Sequence, residues 1–285
     1  MEYFERSGEV EITGVSDFDL AKIFECGQCF RWDADENGEY YGVALGRAAR
    51  LRKNGGSVFI SGTAADFKAV WSGYFDLGRD YAEIRRRLCI DEFMKSATAF
   101  GAGIRILRQD KWEALCSFII SQCNNIPRIK KIIAEFCRLF GDELEAGRAG
   151  KTLYAFPPAE KIARLSADDL APIRCGYRAD YLIGAARAAA SGALDLEALS
   201  EQDPKTARAA LKKLRGVGDK VADCVMLFGL NMPDAFPLDV WMKRAVAEHY
   251  GSSFDPAVFT PYAGIAQQYI FYYMREGPGQ NTSIR

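Results

Sequence analysis

Leu211-Lys212-Lys213-Leu214-Arg215-Gly216-Val217-Gly218-Asp219-Lys220-Val221-Ala222-Asp223-Cys224 decides the reading of this chain. Helical spacing on both sides of the segment gives two helices that meet at a Gly-x-Gly turn. Pro204 opens the first, expected to stop at Gly216, and the second starts just past Gly218. Glycine adopts positive φ at little cost and lets the backbone approach another surface closely. The turn feeds a helix N-terminus, whose free N–H groups and dipole attract an anion. From Lys205 to Lys220 there are six basic residues and one acid. A phosphate diester therefore suits Gly216, Val217 and Gly218. An ordinary tight turn between helices would leave the basic flank without a purpose.

Lys220 falls in the first turn of the second helix. The positive end of the helix dipole disfavours a charged ammonium there, and a neutral lysine amine is a nucleophile that can form a Schiff base. A plain phosphate contact is the other use of a lysine beside such a turn. Asp239 follows nineteen residues later, within Pro237-Leu238-Asp239-Val240-Trp241-Met242, just ahead of an apolar-periodic stretch that it can cap. A capping carboxylate held in place can also stabilise positive charge developing on a substrate.

Working outward, the first sixty residues read as strands. Val10 and Ile12 alternate with polar neighbours, Asn37-Gly38 marks a hairpin between Cys29–Trp32 and Tyr40–Leu45, and Asn54-Gly55-Gly56 marks another between Ala49–Lys53 and Val58–Ser61. From Ala64 the spacing becomes helical, with Phe67, Val70, Trp71 and Tyr74 on one face. Asp110 is expected to cap a helix reaching Cys123, Ile126 to Phe140 to form another ended by Gly141, and Tyr177 to Ala190 a third. Thr260-Pro261 reads as an N-cap followed by proline at the first helical position. Gly277 to Arg285 reads as a short tail. The fold class is α+β, with an antiparallel sheet unit and flanking helices over residues 1–95 and a helical unit carrying the hairpin over 96–285.

Composition limits the alternatives. Of 285 residues 49% are apolar, enough for a sizeable core, and the net charge of -1 means that any positive surface for nucleic acid must be local. Residues 1–10 carry four charges and no apolar run, so a secretory signal is not expected. No apolar run reaches the roughly eighteen residues of a spanning helix, so no membrane partner is expected. Cysteines at 26, 29, 89, 116, 123, 137, 175 and 224 are too scattered for a disulfide scaffold and read as reduced thiols of an intracellular protein. Cys26-x-x-Cys29 has zinc-like spacing but no second pair, and the one histidine, His249, is remote in sequence, so no metal is expected.

The hairpin segment followed by Pro237-Leu238-Asp239-Val240 resembles the helix-hairpin-helix DNA glycosylases, and among them the 8-oxoguanine DNA glycosylases. Gly27-Gln28-Cys29-Phe30-Arg31-Trp32, Ile104 to Asp110, Asn124-Asn125-Ile126, Gly176-Tyr177-Arg178 and Tyr262-Ala263-Gly264 match that family in order, so the resemblance runs from about Asp19 to Phe271. It implies a monomeric enzyme that flips 8-oxoguanine out of duplex DNA, cuts its glycosidic bond through a lysine imine and cleaves the abasic sugar by β-elimination, with no cofactor. It implies that Lys220 attacks the anomeric carbon and Asp239 supports that step. The carbonyl of Gly27 would accept the N7–H that oxidised guanine has and guanine lacks. Gln267 would read the Watson–Crick edge, and Phe271 and Cys224 would sandwich the ring. Gln267 and Phe271, like Lys220 and Cys224, are spaced i, i+4 and so share a helix face. Packing in a core is the bland use of Phe271 and Cys224.

On the opposite strand the resemblance implies that Arg128 and Arg178 hydrogen-bond the cytosine left behind, while Tyr177 wedges beside it. Two departures stand out. Cys123 occupies the position where the family often fills the vacated hole with asparagine, and Trp241 stands where animal members carry a phosphate-contacting histidine. A cation on the hairpin carbonyls near Leu214 and Val217 would be structural. No iron–sulfur cluster is implied, since no cysteine follows Cys224. Rival readings are an alkylated-base glycosylase that uses water and lacks the lysine, a non-catalytic DNA-gripping module, and a purely structural helical protein.

Overall fold

The computed structural model describes residues 1–148 and 151–278. The N-terminal strands β1 (Glu2–Arg6), β2 (Glu9–Thr13), β3 (Trp32–Ala34), β4 (Tyr40–Ala44), β5 (Arg47–Asn54) and β6 (Ser57–Ser61) form one antiparallel sheet in the order β1-β2-β6-β5-β4-β3. Period-two burial is plain in β2, where Val10 and Ile12 are buried and their neighbours are not. Both expected hairpins are present. In the first, Asp35 Oδ1 accepts the N–H groups of Asn37 and Glu39 at 2.9 and 3.0 Å, and Gly38 has φ +75°.

The run of strands is not continuous. Helix Leu20–Glu25 interrupts it, because Asp19 accepts the Lys22 N–H at 3.1 Å and Leu20, Ile23 and Phe24 bury one face. Cys29 to Arg31 form part of the following turn, and β3 begins only at Trp32. Residues 64–74 are helical as expected, widening to a π turn at Phe67–Trp71, and bury Phe67, Trp71 and Tyr74.

Helices dominate the remainder. Asp110 caps Lys111–Ser121 by accepting the Glu113 N–H at 2.8 Å, and Asn125 caps Ile126–Phe140. The first of these stops short of Cys123, which has φ +47° and cannot continue a right-handed helix. The first hairpin helix is Pro204–Leu211 and the second Asp219–Phe228. The first also ends earlier than expected, tightening through the i+3 bonds of Lys213 to Ala210 and Leu214 to Leu211, each 3.1 Å. Thr260-Pro261 does not open the C-terminal helix Ala263–Glu276. Thr260 closes the short turn Pro256–Phe259, and the first helical N–H groups are met from the 233–234 segment, by Asp234 Oδ1 at 3.3 Å and the Pro233 carbonyl at 2.7 Å. A ribbon of Glu143–Arg148 and Lys151–Tyr154 was not foreseen. Of the expected tail, 279–285 lie outside the described residues.

Two cores divide the chain. The sheet core gathers Val10 to Leu77 with Leu107, and the helical core takes over from Tyr81, joined by Cys26 and Phe30. The change of core falls between Leu77 and Tyr81, whereas a boundary at residue 95 would cut helix Glu92–Phe100. Each fully buried large aliphatic or aromatic side chain contributes about 1.5–3 kcal/mol. The second hairpin helix buries every residue from Val221 to Phe228, so it is set rigidly in the helical core. Cys26 and Cys29 serve different cores, which accounts for their spacing without a metal. Among the described residues no group of three or more His, Cys, Asp or Glu side chains could hold a metal ion, and no helix is long and apolar enough to cross a membrane.

Candidate active site

The hairpin turn depends on its first glycine. Gly216 has φ +86°, and a Cβ there would lie 2.2 Å from the Tyr181 ring. Gly218 has nothing within 4 Å of its Cβ position, so the approach to the backbone is open. It is the N-cap of Asp219–Phe228 and provides no side-chain cap, which leaves that helix's first N–H groups to an outside acceptor. Val217 is buried and anchors the turn. Of the six basic residues around it, Arg208 pairs with Asp223 and Lys212 with Asp219, while Lys205, Lys213 and Arg215 form no ion pair among the described residues.

Lys220 points from the second hairpin helix toward helix Lys111–Ser121. Its Nζ donates to Ser121 Oγ at 3.5 Å and stands 5.4 Å from the Phe118 ring centre. Cys224, one turn on, is buried, and burial pushes its thiol up to about 11 despite the Lys220 charge, so it remains a neutral, apolar wall. Asp239 is the N-cap of Val240–His249, accepting the Met242 N–H at 2.9 Å. Burial raises its pKa above the ordinary carboxylate value, opposed by the Met242 amide and by the charge of Lys220.

The other wall comes from the turn after helix Leu20–Glu25 and from helix Ala263–Glu276. Gly27 has φ +84°, and its Cβ position lies 3.4 Å from Phe271 Cε1. Gln28, wholly buried, secures the turn: its Nε2 donates to the carbonyls of Ile23 and Arg105 at 2.9 and 2.8 Å, and its Oε1 accepts the Leu107 N–H at 2.9 Å. Gln267 is buried, and its Oε1 has no hydrogen-bond partner. A buried acceptor without a partner is costly. Here it belongs to a cavity wall, where a donor edge could satisfy it.

Lys220, Asp239, Cys224, Gly27, Gln267 and Phe271 line a single cavity of about 40 Å³. That is a narrow space, and the approach of a base to these groups calls for some adjustment of the walls. Phe118, which stacks on Phe228 at 5.3 Å, completes the lining together with Phe228, Pro237 and Gln268. Sequence reasoning assigned no role to these residues or to Ser121, although Pro237 stands in the Pro237–Val240 motif and Gln268 adjoins Gln267. A larger cavity of about 350 Å³, between Leu170, Arg174, Cys175 and Ala179, contains none of the expected catalytic groups. The expected catalytic groups gather at the smaller one.

The residues expected at the opposite strand are outside this cavity. Tyr177 is 54% exposed, and Cys123 and Arg128 are exposed beside the start of Ile126–Phe140. Arg178 is placed differently from these three. It is buried, and its guanidinium faces inward, donating from Nε to the Gln122 carbonyl at 3.0 Å, from Nη1 to that of Cys175 at 3.1 Å and from Nη2 to that of Cys123 at 3.3 Å. Three backbone acceptors in reach outcompete solvent for a planar donor fork. Trp241 is half-buried in the first turn of Val240–His249 and packs on the helical core.

A hairpin that offers backbone N–H groups, next to a cavity holding a lysine and a carboxylate, is the arrangement of a helix-hairpin-helix DNA glycosylase, and residues 116–257 match the HhH-GPD superfamily of base excision DNA repair proteins. Residues 12–115 match the family described as 8-oxoguanine DNA glycosylase, N-terminal domain. The Arabidopsis thaliana N-glycosylase/DNA lyase is 31% identical over 294 residues, covering 93% of this chain and 79% of its own. The Clostridium acetobutylicum 8-oxoguanine glycosylase/lyase, solved with double-stranded DNA containing cytosine opposite 8-oxoguanine, superposes with a TM-score of 0.91 at 40% identity, covering 97% of this chain and 98% of that one. A Bacillus subtilis DNA-3-methyladenine glycosylase is 36% identical over a shorter stretch of 168 residues, 58% of this chain and 55% of its own. The chain belongs to the 8-oxoguanine DNA glycosylase family.

Proposed function

We propose that this chain excises 8-oxoguanine from duplex DNA with Lys220 as the nucleophile and then cleaves the abasic sugar as a lyase. The observation that carries this reading is the shared cavity, in which Lys220 and Asp239 from the hairpin region meet Gly27 and Gln267 from opposite walls. The hairpin N–H groups hold a phosphate, and the flipped base passes between Cys224 and Phe271. The Gly27 carbonyl accepts N7–H, and the unpartnered Gln267 Oε1 accepts from the N1–H and amino edge. The Lys220 amine bonds to the anomeric carbon as the glycosidic bond breaks, the electrons of that bond leave with the base, and the proton shed by the lysine nitrogen goes to the departing base. The Asp239 carboxylate offsets the positive charge that develops on the sugar. Sugar opening gives the imine, and loss of the proton beside it expels the 3′ phosphate.

Arg128 reads the cytosine opposite, Tyr177 wedges beside it and Arg178 shapes the turn that carries Cys123. The chain works as a monomer within the cell, where chromosomal DNA is found. Borohydride trapping on a duplex with 8-oxoguanine opposite cytosine tests the chemistry. The expected result is a covalent adduct formed in step with base release. Base release with no trapped adduct would mean that water, not Lys220, is the nucleophile.

A further inference from the structure

The turn that carries Gly27 is held by its neighbours' carbonyls. The Glu25 carbonyl accepts from Arg275 Nη2 at 2.5 Å, the Cys26 carbonyl from Gln268 Nε2 at 2.8 Å and the Gln28 carbonyl from Gln109 Nε2 at 2.6 Å. Among the described residues the Gly27 carbonyl alone in this run accepts no hydrogen bond. Three side-chain donors from distant segments thus restrain the backbone on both sides of one free acceptor. A left-handed glycine such as Gly27 has wide conformational freedom, and without such restraints its carbonyl would sample many directions.

Arg275 differs from the two glutamines. It projects from the same helix as Gln267 and Phe271, and its guanidinium carbon is 5.2 Å from the Phe271 ring centre. Its Nε donates to Glu276 Oε1 at 2.9 Å, while its Nη1 is buried with no partner, 3.2 Å from the Gly27 Cβ position. A buried donor left without an acceptor costs stability. Arg275 recovers part of that cost through its bond to the Glu25 carbonyl. Its position is explained by what it holds: the acceptor turn on one side and one face of the base-stacking ring on the other.

We infer that Arg275 is a specificity-determining positioning residue, which clamps the Glu25–Gln28 turn to the C-terminal helix so that the Gly27 carbonyl and the Phe271 ring are presented to the oxidised purine together. The inference rests on the reading of Gly27 as the N7–H acceptor. It separates two activities of one active site. Base excision needs the acceptor in place. Cleavage at a preformed abasic site uses the same lysine but has no base to read.

The experiment measures both activities in the full chain for the unsubstituted protein, Arg275→Met, Arg275→Lys and Gly27→Ala. In Arg275→Met the ratio of 8-oxoguanine excision to abasic-site cleavage is expected to fall on the order of 10- to 100-fold, the scale of an ångström-sized misplacement. Arg275→Lys should recover part of the ratio, since an ammonium can meet the Glu25 carbonyl but cannot also lie flat along Phe271. An unchanged ratio in Arg275→Met, whether or not both rates drop together, overturns the inference. If Gly27→Ala lowers the ratio and Arg275→Met does not, the assignment of Arg275 alone is wrong. If Gly27→Ala also leaves the ratio unchanged, the acceptor reading of Gly27 fails and the inference falls with it.

Discussion

Asp239 and Met242 are joined by a capping hydrogen bond, the Asp239 Oδ1 accepting the Met242 N–H at 2.9 Å, so the carboxylate that faces Lys220's cavity also starts a helix. The two duties can be separated, because asparagine caps about as well as aspartate but carries no charge. Asp239→Asn should unfold at a temperature no lower than the unsubstituted chain, yet lose about 100-fold or more in excision per folded molecule. Lost stability with unchanged excision would reduce Asp239 to a cap.

The same residue sets a pH dependence. Burial raises the Asp239 pKa in the folded chain above its ordinary value of 3.8. The ionised form supports catalysis, so excision should decline as the pH falls through that raised pKa, with an acid limb above the range of an exposed aspartate. Stability runs the other way. Because the folded pKa is the higher one, Asp239 favours folding most at a pH below its unfolded value. It becomes a liability as the pH rises from there through its folded value. Asp239→Asn should therefore gain melting temperature relative to the unsubstituted chain across that window. Parallel melting curves at all pH values would contradict the assignment.

Lys220 stands at the start of a helix whose N-terminal residues carry no side-chain cap. Lys220→Gln keeps the length and polarity but has no nucleophilic amine. It should abolish excision and borohydride trapping while leaving affinity for an 8-oxoguanine duplex within about threefold, since the phosphate grip comes from the turn's backbone. Excision at full rate by this variant would rule out the covalent route.

Gly27→Ala places a methyl group 3.2 Å from Arg275 Nη1 and 3.4 Å from Phe271 Cε1, at φ +84°. Alanine in that conformation costs about 1 kcal/mol or more, and the methyl presses on the ring that stacks the base. Excision of 8-oxoguanine should weaken while affinity for undamaged duplex is unchanged. Equal loss of both would make Gly27 a folding position only.

The hairpin was legible in the sequence because its glycines answer to local demands: Gly216 needs positive φ and Gly218 leaves its backbone uncovered. The sheet was legible for the same reason, as Asn-Gly turns and alternating burial are short-range features. Lys220, Asp239, Gly27 and Gln267 could be named through resemblance, and the fold brings them to one cavity. The scaffold behind them could not. Arg275 meets a carbonyl 250 positions away and Gln268 one 242 positions away, and nothing in either neighbourhood marks the partner. Thr260-Pro261 misled for a related reason, because a distant segment supplies the acceptors that a local cap would have supplied. The inward turn of Arg178 likewise depends on carbonyls of the interhelical segment Gln122–Cys123, which periodicity does not place.

That inward turn changes what the two arginines should do. Arg128 is exposed, and its fork is available to the N3 and O2 acceptors of an unpaired cytosine. One good bidentate contact is worth roughly 1–3 kcal/mol of base discrimination, so Arg128→Ala should reduce the preference for cytosine by about that amount. Arg178 instead holds the carbonyls on either side of the Gln122–Cys123 bond, and Arg178→Ala should slow excision opposite every base to a similar degree. Cys123 has φ +47°, a left-handed conformation that asparagine tolerates better than most residues. Its thiol is a weak single donor where asparagine offers two donors and a carbonyl. The preference for cytosine should therefore be present but soft in the unsubstituted chain. Cys123→Asn should raise both the melting temperature and the preference, by relieving the backbone and filling the hole left by the flipped base. Single-turnover excision of 8-oxoguanine opposite each of the four bases measures all three variants. Equal rates opposite all four in the unsubstituted chain would remove Arg128 from base reading, and a selective loss opposite cytosine in Arg178→Ala would show that its fork turns outward when DNA binds.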